Sequence, residues 1–154
     1  MRVISQEILD TVTREAKTTP RLRKNLNFHQ QDDSSCHRLL NAVETDSYIP
    51  PHRHLGPEKE ETIILLRGRL GVVFFDEEGN VLETAILSPG GVAVGVNIPH
   101  GEFHTLVSLE SGTVFFESKA GPYRALTAEE RAPWAPGEGR DESDAYLAEL
   151  RKIW

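Results

Sequence analysis

Two histidine-bearing stretches constrain this chain more than anything else in it. The first is Pro51-His52-Arg53-His54-Leu55-Gly56-Pro57-Glu58-Lys59-Glu60-Glu61, which runs into the apolar Thr62-Ile63-Ile64-Leu65-Leu66 and a turn at Arg67-Gly68. The second, Pro99-His100-Gly101-Glu102-Phe103-His104, follows about forty residues on. In a strand, residues two apart point the same way, so His52 and His54 share one side and Arg53 takes the other. A fold that also brings His104 and a carboxylate to that side would hold one divalent ion with coordination positions left open.

Glu58, Glu60 and Glu61 compete to supply the carboxylate. Glu61 directly precedes a strand and shares its face with Ile63 and Leu65, the face taken as inward. Glu58 sits in a Gly-Pro loop and reads as solvated. His104 enters from a separate strand, introduced by the Pro99–Gly101 turn.

Turn signals every eight to twelve residues set the frame. Strands are expected over 37–44, 62–66, 70–75, 81–87, 92–96, 103–109 and 113–118, which means a sandwich or barrel. The stretch 21–35 reads as a loop holding at most one short strand. Ser5 is a good N-cap for a helix over about 5–17, with Ile8, Leu9, Val12 and Ala16 on its apolar face. Thr127-Ala128-Glu129-Glu130 has capping-box spacing and opens a short helical turn. Trp134 is expected to pin the following Pro-rich stretch to the body. Ser143 is expected to cap a last helix with Tyr146, Leu147, Leu150 and Trp154 on one stripe.

Runs such as Ile63-Ile64-Leu65-Leu66 and Val72-Val73-Phe74-Phe75 are apolar on both faces, so the terminal helices or a second subunit must cover the outer faces. A homodimer is expected on that ground. The 154 residues suit one domain, 1–154, with a core of about 37–120 and a helical extension of about 127–154. A formal charge of -7 argues against nucleic-acid backbones and anionic membranes as partners. The lone Cys36, the absence of a signal-like apolar stretch in 1–7 and the lack of any long apolar run lead to a cytoplasmic expectation.

The two motifs resemble those of the cupin superfamily, a first motif of His-x-His, glutamate and a later glycine, and a second of Pro-x-Gly-x-x-His. His52, His54, Glu61, Gly68, Pro99, Gly101 and His104 match it. The resemblance implies a double-stranded β-helix, or jelly-roll barrel, that is all-β apart from helices packed outside. The gap from His54 to Glu61 is two or three residues longer than usual, and Ser108 stands where asparagine is common. The long gap is similar to the WbuC-type cupin metalloproteins, sometimes encoded among surface-polysaccharide genes. Arg38-Leu39-Leu40-Asn41-Ala42, Leu66-Arg67-Gly68-Arg69-Leu70, Gly121-Pro122-Tyr123 and Ala132-Pro133-Trp134-Ala135-Pro136 carry the same likeness.

Three neutral imidazoles and a carboxylate suit Zn, Fe, Mn, Ni or Cu rather than Mg or Ca. The expected function is a metal-dependent enzyme, of isomerase or oxygenase type, acting on a small carbohydrate-related or oxygenated molecule in the cup. The other class is a non-catalytic small-molecule-binding or metal-sensing module, since no acid/base pair stands out beside the ligands. Glu117, Tyr123 and Arg53 are the candidates around the metal, each with a duller reading as packing or surface pairing. Arg67 reads mainly as an outward salt bridge, His100 as a turn residue, and His29 and His37 as surface residues.

Overall fold

The computed structural model describes residues 1–154. Helix α1 (Gln6–Thr18) precedes strands β1 (Arg23–Asn27), β2 (Cys36–Val43), β3 (Glu61–Arg67), β4 (Leu70–Phe75), β5 (Val81–Leu87), β6 (Gly95–Ile98), β7 (Phe103–Ser108) and β8 (Thr113–Ala120), and helix α2 (Glu142–Arg151) closes the chain. The strands form two antiparallel sheets, ordered β1-β2-β8-β3-β6 and β5-β4-β7. The inner faces of the two sheets meet over Val43, Ile63, Leu65, Leu70, Val72, Leu87, Ile98, Leu106 and Phe115.

The terminal helices cover much of the outer faces. Ser5 caps α1 through its hydroxyl, 3.4 Å from the Ile8 amide, and Leu9, Val12 and Ala16 pack on Leu40, Ala42 and Val114. Leu147 and Leu150 of α2 join Tyr48, Val73, Phe75, Phe103 and Val107 on the other side. Trp134 closes that layer, 4.9 Å from Phe75 and 6.0 Å from Phe103 between ring centres. Covering apolar strands with the chain's own helices removes area from water as a partner would.

Three local expectations need correction. β6 starts at Gly95 rather than Val92, because the Ser88–Gly91 turn is closed by a bond from the Ser88 amide to the Ala93 carbonyl and leaves Val92 in solvent. β8 runs two residues past Ser118 to Ala120, since β3 and β2 both offer pairing partners there. Ser143 does not cap α2: it lies inside the first turn and its hydroxyl donates to Arg140 O at 2.7 Å. The short turn expected at Thr127–Glu130 is present: the Arg131 amide donates to Ala128 O at 3.3 Å, and Glu130 reaches back to the Thr127 amide at 2.9 Å as a capping box does.

Gly68 shows why the first motif ends in glycine. Its φ is +82°, and a Cβ there would lie 2.8 Å from the Thr113 Cα. No other residue fits both the backbone conformation and the close approach.

Candidate functional site

Backbone pairing joins the two histidine stretches directly. His52 and His104 exchange both amide hydrogen bonds, at 3.0 and 2.9 Å, and the Gly101 amide donates to His54 O at 2.7 Å. His52 and His104 therefore sit opposite each other, with ring centres 4.6 Å apart; those of His52 and His54 are 5.2 Å apart. Strand pairing places the carboxylate: Glu61 is the first residue of β3, opposite Lys119 of β8, on the inward face with Ile63 and Leu65. Of the three competing glutamates only Glu61 is buried, at 4% exposure; Glu58 and Glu60 are in solvent.

The ring nitrogens are sorted by their partners. His52 Nδ1 lies 2.9 Å from Pro50 O, and His104 Nδ1 lies 2.9 Å from Glu102 O. A carbonyl can only accept, so both rings carry their proton on Nδ1 and leave Nε2 with a free lone pair. His104 Nε2 is 3.6 Å from Glu61 Oε2. His54 Nε2 is 2.9 Å from Glu61 Oε1 without hydrogen-bond geometry, and it is buried with no hydrogen-bond partner. An orphaned buried imidazole nitrogen beside a carboxylate and two further lone pairs is a donor set that fits a divalent transition metal.

As the side chains stand, no three His, Cys, Asp or Glu groups are arranged to enclose an ion. The Glu61 carboxylate is instead paired with Lys119, whose ammonium lies 2.6 Å from Glu61 Oε1 and 2.7 Å from Glu117 Oε1. Asn41 Nδ2 donates to Glu117 Oε2 at 2.8 Å, so a polar chain runs from Glu61 through Lys119 and Glu117 to Asn41.

Electrostatics follow from this packing. Burial, then the neighbouring His104, pushes His52 down to about 3, which keeps the imidazole neutral. Burial works to raise the Glu61 carboxyl, and the Lys119 ammonium 2.6 Å away outweighs it and holds the group well below the ordinary carboxylate range. Burial and the Glu61 charge raise Glu117, against Lys119 and Asn41. Burial opposes the charge on Lys119, and the two carboxylates overcome it and raise its pKa.

The remaining candidates divide. Glu117 is buried and faces inward, linked through Lys119 to Glu61. Tyr123 is 62% exposed and lines the cup mouth. Arg53 points away from His52 and His54: it lies 2.5 Å from Glu77 and stacks 4.2 Å over the Phe103 ring. Arg67 reaches Asp10 of α1 at 2.7 Å, His100 is exposed in its turn, and Cys36 is exposed.

Two residues of the site escaped the sequence reading. Lys119 has the alternate spacing that puts it on the face of Glu117, but it lies beyond the strand end expected at Ser118. His37 is not a surface residue: it is 4% exposed, stacks on His29 at 3.9 Å and faces the cup opposite Lys119. The alternation of β2, with Leu39 and Asn41 on the same face, carried that signal.

The cup opens into a cavity of about 500 Å³ floored by His52, His54 and Lys119 and edged by the Leu55–Lys59 loop.

Comparison with known proteins supports the fold. No curated protein matches the sequence. Among solved structures, KdgF from Halomonas sp. aligns at a TM-score of 0.52 and 19% identity, over 70% of this chain and 84% of that one. Oxalate oxidase in complex with the substrate analogue glycolate aligns at 0.52 and 15%, over 70% of this chain and 56% of that one. The Bacillus subtilis oxalate decarboxylase, described with Mn(II) centres, aligns at 0.51 and 14%, over 71% of this chain and 27% of that one. At these identities the likeness establishes architecture, and the architecture is the cupin jelly roll. A family model matches residues 4–87, just over half of the chain. By that match the protein belongs to the family described as Domain of unknown function (DUF6016).

Proposed function

We propose that this protein is a metal-binding cupin that acts on a small oxygenated molecule in the cup, with His52, His54, Glu61 and His104 as ligands of one divalent transition metal. The observation that carries this reading is the buried, unpartnered Nε2 of His54, set beside Glu61 and facing the lone pairs of His52 and His104. The Mn(II) centres of the decarboxylase and the glycolate held by the oxidase support a metal and a small oxygenated ligand in the same fold. The carbohydrate-related substrate rests on the WbuC-type stretches alone.

When bound, the metal would supply Lewis acidity toward a carbonyl or hydroxyl oxygen. The protein's own groups define the rest. The backbone carbonyls of Pro50 and Glu102 fix the tautomer and orientation of two rings. Lys119, clamped by two carboxylates, stays protonated and presents a fixed positive charge at the cup floor. Glu117, with its raised carboxyl, is the group there best able to hold a proton at Oε1 or Oε2. Glu117, held in place by Lys119, is the proton-holding group that favours an enzyme over a passive binding module.

Elemental analysis of the purified protein tests the reading. About one transition-metal ion per chain is expected in the wild type, with a large loss in His104→Ala. Equal metal content in both, or none in the wild type after loading, overturns it. A turnover screen of the loaded protein against sugar nucleotides and small keto compounds then separates enzyme from binder. A homodimer and a cytoplasmic setting belong to the same proposal, the exposed Ile64, Val92 and Val94 being the apolar surface left for a partner.

A further inference from the structure

The cup has a second chamber. The segment 121–131 crosses above His52 and is tied down on both sides. The Tyr123 amide donates to Asp32 O at 2.7 Å, the Ala132 amide donates to Pro51 O at 3.2 Å, and the Glu130 carboxylate accepts from the Leu55 and Thr127 amides. Two cavities flank this strap and share His52, Tyr123, Ala125 and Leu126. The cavity on the His54 side is lined by Lys59, Lys119 and Arg124 against Glu58, Glu129 and Glu130, three charges of each sign.

The cavity on the far side, about 360 Å³, is different. Arg21, Arg23 and Arg131 line it against a single carboxylate, Glu138, which leaves two positive charges uncompensated in a chain of formal charge -7. Glu138 shows what this chamber accepts. Arg21 grips it in a fork, Nε to Oε1 at 2.6 Å and Nη2 to Oε2 at 2.8 Å, while Arg23 Nη2 reaches Oε1 at 2.7 Å. Arg23 is further fixed by Tyr48 O at 2.9 Å and Ser47 Oγ at 3.3 Å, so its guanidinium is pre-organised. Arg131 donates to Leu126 O at 3.3 Å and faces no carboxylate. Guanidinium groups in this arrangement match carboxylate and phosphate oxygens. Ile49, Pro51 and Ala132 give the same chamber an apolar wall.

We propose that this chamber binds the anionic head, carboxylate or phosphate, of a small molecule whose other end lies against His52. The strap then holds the ligand from above, and the head sits outside the ligand set. The inference does not depend on the metal reading, because head-group binding is measured on metal-free protein.

The experiment titrates metal-free protein with citrate and, separately, pyrophosphate at constant ionic strength, by calorimetry. Saturable binding of at least one probe at one site per chain is expected, and the probe that binds distinguishes carboxylate from phosphate. Arg131→Met removes a charged hydrogen bond and should weaken binding about tenfold or more. Glu138→Gln removes the internal competitor and should tighten binding several-fold, a gain that a damaged fold cannot produce. Arg124→Met, on the other side of the strap, should leave affinity unchanged. No saturable binding of either probe, wild-type affinity in Arg131→Met, weakened binding in Glu138→Gln, or an equal loss in Arg124→Met would each overturn the proposal.

Discussion

Replacing Lys119 with methionine is the perturbation whose size the structure sets most clearly. Methionine keeps the unbranched stem and removes the ammonium that lies 2.6 Å from Glu61 and 2.7 Å from Glu117. Two buried carboxylates would then face each other without a cation. Glu117, already raised by burial and by Glu61, takes a proton, and this relieves half of the problem. Glu61 remains as one buried charge stripped of its cationic partner, which costs about 3–5 kcal/mol. For a chain of 154 residues each kcal/mol lowers Tm by about 2–4 °C, so a fall of about 6–20 °C is expected. Calorimetric melting of metal-free protein reads this directly. Excess Zn2+ should then recover more stability in the variant than in wild type, because a cation bound at Glu61 replaces the lost charge. A drop of less than about 3 °C, or equal Zn2+ stabilisation of both proteins, would refute the reasoning.

Other outcomes follow from the same geometry. The folded state holds His52 at about 3, against 6.5 for a free histidine. A depressed folded value means that the unfolded chain binds the proton first. The contribution of neutral His52 to the stability of metal-free protein is therefore complete above about 6.5 and is lost toward pH 3 by about 1.4 kcal/mol per pH unit. Denaturant unfolding at a series of pH values should show this slope in wild type and a shallower one in His52→Asn; identical slopes would count against it. Gly68→Ala places a side chain at φ +82° against the Thr113 backbone and should cost about 1–3 kcal/mol, read as a shift in denaturant midpoint. Arg67→Ala loses a surface ion pair with Asp10 and a hydrogen bond to the Gln6 side chain at 2.6 Å, and should change stability by about 1 kcal/mol or less in the same assay.

The ligand candidates were legible because the chemistry and the pleat agree. His52 and His54 two apart, Glu61 in phase with Ile63 and Leu65, and Gly68 and Gly101 at turns each follow from local rules, and the strand pairing brings them together. Lys119 was not legible in the same way. Its role depends on two neighbouring strands extending β8 beyond Ser118, a tertiary effect that turn signals do not report. His37 was misread because it stands as a single histidine beside an exposed cysteine at the strand's start; the alternation that puts it on the face of Leu39 and Asn41 held the signal, and the register of β2 against β8 sets it opposite Lys119. Ser143 shows the opposite failure: a good capping residue in sequence, it is drawn into the first turn of α2, where its hydroxyl bonds the Arg140 carbonyl instead. The arginine chamber joins residues more than a hundred positions apart, Arg21 and Glu138, and no sequence window contains it.

The central claim is that His52, His54, Glu61 and His104 share one ion, and anomalous diffraction from crystals grown with Mn2+ or Zn2+ tests it most directly. The account predicts a single strong peak per chain, within bonding distance of the three Nε2 atoms and a Glu61 oxygen. A peak elsewhere, or none at this position with Glu61 still paired to Lys119 at saturating metal, would contradict it.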